Sequence, residues 1–326
     1  MRHAAPLCLF SLLVYTPLAQ AKPKEYTSFR VDLDGKTALC PGETQDIDLF
    51  GTDAKGKETK VRFGNWDQFQ MTWELGEVSK KGFLAMPYEP ATTWGKAGTL
   101  TVALLSDPSL TTITTLPVRY DCSMSAGAYG PSGQPGQAGE RGASVAAEPG
   151  GDGGDGGNGQ DGGDGPTVQV LVRLAKEPLH GEEVLQVSVT DTSTGATSLH
   201  AVAVTGGQLV IGAVGGSGGP GGPGGAGGSG ATGLDGGDGG DGGQGGDGGR
   251  GGKIVVKIDP SAQGKTDALV FDTRGGAPGP EGLAGDAGQG FSPGVYGNKG
   301  HPGHPGHAGP DGGPAQITKG SVPPLW

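Results

Sequence analysis

Apolar and polar residues alternate with period two in a series of short segments, the spacing that puts successive side chains on opposite faces of a strand. Between residues 22 and 125 these segments fall at 26–33, 44–50, 58–63, 69–74, 99–105 and 111–120. Turn chemistry separates them, as at Asp34-Gly35, Pro41-Gly42, Lys55-Gly56, Ala97-Gly98 and Asp107-Pro108. Short strands at this spacing over roughly one hundred residues predict a β-sandwich. Trp66, Trp73 and Trp94 are expected in its core or on its sheet faces rather than as platforms for a sugar.

After residue 126 the pattern changes. Apolar alternating segments recur at 167–174, 184–190, 198–204, 208–214, 254–258 and 268–272, now embedded in glycine. Several run straight into it, as in GGDGPTVQVLVRL, LVIGAVGGSGG, GRGGKIVVKID and LVFDTRGGAPG. Of 71 glycines, 9 precede residue 126 and 62 follow, so the second part is tested for periodicity before anything else. Glycine holds all thirteen positions at a spacing of three from Gly215 to Gly251; from Gly276 to Gly312 the same spacing fails once, at Phe291. Breaks at 144–147, at 231–235 and around Phe291 leave six runs of similar length.

A period of three belongs to the polyproline-II type of helix, with three residues per turn. The outer runs are G-x-y with proline (GPSGQPGQAGER, GNKGHPGHPGHAGPDG) and resemble collagen. The inner runs are G-G-x, as in GGDGGDGGQGGDGGRGG, and resemble the glycine-helix bundles of a snow-flea antifreeze protein and of some phage tail-tip adhesins. That resemblance implies extended helices packed side by side within one chain. Residues 22–125 resemble the immunoglobulin-like domains of secreted bacterial proteins in their strand pattern. A lone glycine run would stay disordered, because ordering a residue costs about 1–2 kcal/mol and a net hydrogen bond returns about 1 kcal/mol. Many mutual bonds and an anchor in the neighbouring strands can reverse that balance.

The first residues bear on compartment. Arg2 and His3 precede an apolar run that ends in Ala19-Gln20-Ala21, which reads as a signal peptide over 1–21. Removing it leaves Cys40 and Cys122; one disulfide is the simplest reading in an oxidising compartment, and two free thiols are the alternative. A net charge of −11 argues against nucleic acid and anionic membranes, and no apolar stretch is long enough to span a bilayer.

Candidate chemistry is sparse. Asp152, Asp155, Asp161 and Asp164, and again Asp238, Asp241 and Asp247, stand three residues or a multiple of three apart. Neighbours along one threefold helix are about 9 Å apart, too far for one calcium ion, so calcium binding would need carboxylates from adjacent helices. The bland reading is a solvated acidic edge. His301, His304 and His307 meet the same obstacle for zinc. Gly215-Gly216-Ser217-Gly218-Gly219 fits a nucleophile-elbow pattern but is followed by no helix, and Gly264-Lys265-Thr266 lacks the rest of a phosphate loop.

The expected architecture is thus mostly β. An immunoglobulin-like sandwich over 22–125 is followed by a repeat region over 126–314, where about six polyglycine/polyproline-II helices interleave with strands at 167–214 and 253–273. A tail follows at 315–326. The expected function is that of an exported, non-enzymatic structural or adhesive protein without a cofactor, found extracellularly, at the cell surface or in the periplasm, with a surface or matrix partner. It is expected to be monomeric. A trimeric collagen-like fibre and a calcium-dependent binding module are the alternatives. An ice-binding use is disfavoured because the repeated aspartates would break up a flat, weakly polar face.

Overall fold

The structure, a computed structural model, describes residues 26–61 and 63–326. The leader expected over 1–21 lies outside the described residues. The chain is mostly β, arranged in several sheets. Among the described residues, no helix is long and apolar enough to cross a membrane.

The first nine strands are β1 (Tyr26–Asp32), β2 (Thr44–Asp46), β3 (Asp48–Asp53), β4 (Glu58–Lys60), β5 (Phe69–Trp73), β6 (Glu77–Val78), β7 (Phe83–Ala85), β8 (Ala97–Leu104) and β9 (Asp107–Pro117). They form three antiparallel sheets, β1-β3-β4, β2-β7-β6 and β5-β8-β9. The segment expected at 44–50 is split at Ile47, which turns its side chain into the core and is 1% exposed. Asp107-Pro108, expected as a turn, instead opens β9; the outer position of β9 in its sheet accommodates a proline that cannot donate. Trp66 and Trp73 are buried, and Trp94 packs against Tyr120 and Trp326. Cys40 and Cys122 are joined by a disulfide, with their Cα atoms 6.2 Å apart.

Eight more strands follow: β10 (Ser123–Tyr129), β11 (Thr167–Lys176), β12 (Glu183–Asp191), β13 (Thr197–Ala203), β14 (Gln208–Val214), β15 (Lys253–Ile258), β16 (Leu269–Asp272) and β17 (Gln316–Lys319). One sheet is β10-β14-β16, parallel throughout; the other is β13-β12-β11-β15-β17, with β11, β15 and β17 parallel. Their facing sides share a core of Val168, Val170, Val187, Ile211, Ile254, Val256 and similar residues. Val184, Ala201 and Ala203 join the first core instead, so apolar packing continues between the two halves of the chain.

Every glycine run leaves or enters one of these strands. Runs 1, 3 and 5 (130–143, 215–230, 276–290) follow β10, β14 and β16. Runs 2, 4 and 6 (150–165, 236–251, 294–312) lead into β11, β15 and β17. The motif strand, run, turn, run, strand thus occurs three times.

Candidate functional site

Period three appears directly in the hydrogen bonds. Run 1 donates to run 3 (Gly133 N–H to the Ser217 carbonyl, Gly136 to Pro220, Gly139 to Pro223, each 2.8 Å), and run 3 donates to run 5 (Gly218 to Ala277, Gly221 to Pro280). Runs 2, 4 and 6 are joined in the same way, as in Gly156 to Asp241 and Gly242 to His301. The result is two layers, 1-3-5 and 2-4-6, each parallel inside. Antiparallel bonds stitch the layers together, among them Gly222 N–H to the Gly157 carbonyl and Gly243 N–H to the Gly222 carbonyl, both 2.8 Å. Each layer continues a sheet with the same neighbour order, β10-β14-β16 into 1-3-5 and β11-β15-β17 into 2-4-6. The hydrophobic core below therefore fixes the register of a layer that has no apolar core of its own.

Glycine content is highest in the two runs with the most neighbours, whereas runs 2 and 5, with three neighbours each, differ: run 2 is mostly G-G-x and run 5 holds one glycine per triplet. Runs 3 and 4 each bond to four others, and both glycines of every G-G-x triplet are crowded. A methyl group built at Gly216, Gly222, Gly240 or Gly246 would stand 1.9–2.1 Å from a carbonyl oxygen of the next run. Runs 1 and 6 bond to two others each and hold one glycine per triplet. Run 2 has one less crowded column: a methyl at Gly151, Gly154 or Gly157 would find its nearest atom at 3.1, 3.2 or 3.0 Å, although one at Gly163 would meet Pro131 at 2.6 Å. That column is where Gln160 breaks the G-G-x rule, and Gln160 still donates to Gln134 at 2.9 Å.

The aspartates singled out in the sequence stand in two exposed columns on the outer face of layer 2-4-6. The third residue of each triplet in run 4, and Val295, Asn298, His301 and His307 of run 6, have a main-chain N–H that no run reaches, and a side chain from the neighbouring run accepts it. Asp152, Asp155, Asp161 and Asp164 accept from the N–H groups of Asp238, Asp241, Asp247 and Arg250 at 2.8–2.9 Å. Asp238, Asp241 and Asp247 in turn accept from Asn298, His301 and His307 at 2.6–2.7 Å. All seven Oδ1 atoms are thereby engaged. His301 Nδ1 and His307 Nδ1 lie 3.2 and 3.1 Å from Asp241 and Asp247. The His301 and His307 N–H groups, then their imidazoles, hold these two carboxyls below the ordinary range. Among the described residues, no group of three or more His, Cys, Asp or Glu could hold a metal ion.

The opposite face, on layer 1-3-5, is different. It exposes Ser217, Pro220 and Pro223 from run 3, flanked by Pro135 and Ala138 of run 1 and Ala277, Pro280 and Leu283 of run 5. Proline here removes the N–H that aspartate caps on the other layer. The two aspartate columns thus lie on one face, while the other carries Asp286 of run 5 in its outer column beside the prolines. Ser217, the elbow candidate, is one of these surface residues, and Lys265 pairs with Glu183 at 2.6 Å.

Two further features carry no sequence signature. The turns at the far end of the runs leave Val145, Phe291, Val295 and Tyr296 exposed by 46–66%. They are bonded to each other, for example through Ala231 N–H to Glu148 and Gly233 N–H to Phe291. At the opposite end, His200 of β13 is 2% exposed, with Nδ1 2.9 Å from the Tyr88 hydroxyl and Nε2 2.8 Å from Ser198 Oγ. Burial pushes its pKa down to about 4, which keeps the imidazole neutral. No protein-family profile, curated protein or solved structure matches the chain.

Proposed function

We propose that the protein is an exported, non-enzymatic structural or adhesive component of a cell surface or extracellular matrix. Its working part is a single-chain bundle of six threefold glycine helices, held out from a β-rich base whose first domain is immunoglobulin-like. The observation that carries this reading is the continuity of each glycine layer with a sheet of the same order, which makes the runs a stiff extension of a packed core. Five triplets at about 3.1 Å per residue extend the turns roughly 46 Å beyond the strands. A rigid spacer that presents Val145, Phe291, Val295 and Tyr296 at its tip suits adhesion.

Side chains on the outer runs favour a closed monomer over a collagen-like trimer. Pro131, Gln134, Gln137 and Glu140 of run 1 stand at positions equivalent to the crowded glycines 216–225 of run 3 and would block a further helix. Engagement of all seven Oδ1 atoms weighs against a calcium-dependent module.

Sedimentation over a range of concentrations tests the first point: a single-chain mass throughout is expected, and a trimer removes the reading. Retention of the purified protein on the producer's own envelope and matrix fractions tests adhesion. Joint Phe291→Ser, Val295→Ser and Tyr296→Ser substitution is expected to abolish it, and unchanged retention refutes the tip. A thermal-hysteresis assay checks the alternative that the proline-rich face binds ice.

A further inference from the structure

The sheet β10-β14-β16 has three strands, and the sheet facing it has five. β10 packs over β12, so β13 reaches one strand-width further out and leaves a cleft beside β10, with Thr197 and Ser198 along its floor and His200 buried beneath Tyr88. The bonding of β10 is one-sided. Gln208 N–H donates to the Cys122 carbonyl at 2.9 Å, and Gly130 N–H donates to the Val214 carbonyl at 2.8 Å. Even-numbered residues therefore face β14. With a ladder period of two, the N–H and C=O groups of Ser123, Ser125, Gly127 and Tyr129 point into the cleft. Among these groups only the Ser125 carbonyl has a partner, the Tyr88 hydroxyl at 3.4 Å.

Two cavities lie in sequence along this edge. One of about 500 Å³ is lined by Cys40, Gly42, Tyr88, Ser123 and Ser125. The next, of about 210 Å³, is lined by Gly127, Ala128, Thr197 and Ser198. Tyr88, 43% exposed, lines the first of them.

We propose that this cleft is a docking groove for an extended polypeptide of a partner, which adds to β10 as the fourth strand of its sheet. Unpaired donors and acceptors repeating every second residue, about 6.6 Å apart, match the backbone of a strand and no other ligand class of that length. The seven residues of β10 offer roughly 20 Å of edge. The main chain supplies affinity and the two cavities supply selectivity: a large side chain fits beside the Cys40–Cys122 bridge, and a small one, about four positions along, fits against Gly127 and Thr197. Docking displaces the Tyr88 hydroxyl from the Ser125 carbonyl. This inference does not depend on the adhesive reading, since it concerns the base of the molecule and not its tip.

The test is selection of random twelve-residue peptides, displayed on phage, against the intact chain. Selected peptides are expected to slow amide exchange at Ser123, Gly127 and Tyr129. Ser125→Pro removes an N–H that faces only the cleft and leaves the bonds to β14 in place, so it should weaken binding at least about tenfold. Tyr88→Ala frees the Ser125 carbonyl and should tighten binding severalfold. Should Ser125→Pro fold poorly, the exchange map on the unaltered chain decides. The proposal is overturned if no peptide is recovered, or if recovered peptides leave those amides unprotected and bind both variants like the parent. Protection of the same amides by self-association of the chain alone would make a second copy the occupant and equally overturn it.

Discussion

Gly222→Ala and Gly154→Ala make the same chemical change in adjacent runs and should have opposite outcomes. At Gly222 the new methyl would stand 1.9 Å from the Gln137 carbonyl oxygen; at Gly154 the nearest atom would be the Glu140 nitrogen at 3.2 Å. Ordinary carbon–oxygen contact is near 3.4 Å, so run 3 would have to withdraw from run 1 by more than an ångström. Hydrogen bonds at 2.8 Å do not survive that movement, and Gly136 to Pro220, Gly139 to Pro223 and Gly222 to Gly157 all lie beside the clash. Losing three to four bonds at about 1 kcal/mol each destabilises the bundle by roughly 3–4 kcal/mol. Gly154→Ala restricts the unfolded chain without a severe clash and should lie between neutral and about 0.5 kcal/mol stabilising. Urea titration followed by amide exchange of the glycines measures both. A tolerated Gly222→Ala, or equal losses at the two sites, would refute the layered packing.

Other outcomes follow from the base and the acidic face. The depressed pKa of His200, about 4, lies below its unfolded value near 6.5, so stability is full above pH 6.5 and is lost as pH falls towards 4. The loss is about 3 kcal/mol, read as a urea-midpoint drop that His200→Gln flattens; a pH-independent midpoint contradicts it. Reducing the Cys40–Cys122 bridge, which spans 82 residues, should cost about 4 kcal/mol, measured by thermal unfolding with and without reductant. Asp161→Ala should speed exchange at the Asp247 amide, which it caps at 2.8 Å, and leave Gly246 protected. Equal acceleration at both would show that the aspartate column holds the layers together rather than capping one row.

Much of the second half was legible because period three and period two are both local. The six runs can be read from glycine spacing, and β11, β14, β15 and β16, which adjoin four of them, from apolar alternation. β10 was hidden because SMSAGAY places Gly127 in the glycine register, and β17 because QITK is short and exposed. The layer order depends on which strands pair in the core, which no local pattern reports. The G-G-x triplets mark runs 2, 3 and 4, and Gln160 marks the less crowded column of run 2. The aspartate columns were visible as columns; their role was not, because the N–H each accepts is 60 or 86 residues away. His200, in an ordinary strand, gives no sign of the Tyr88 hydroxyl 112 residues earlier.

Glycine-selective amide exchange on the intact chain tests the layered bundle most directly. Both glycines of each triplet in runs 3 and 4, Gly218 and Gly219 or Gly242 and Gly243, should be protected like the β-strand amides. Ser217 and Ala226, which have no acceptor, should exchange freely. Fast, uniform exchange across all glycines of the runs would mean independent coils and would contradict the account.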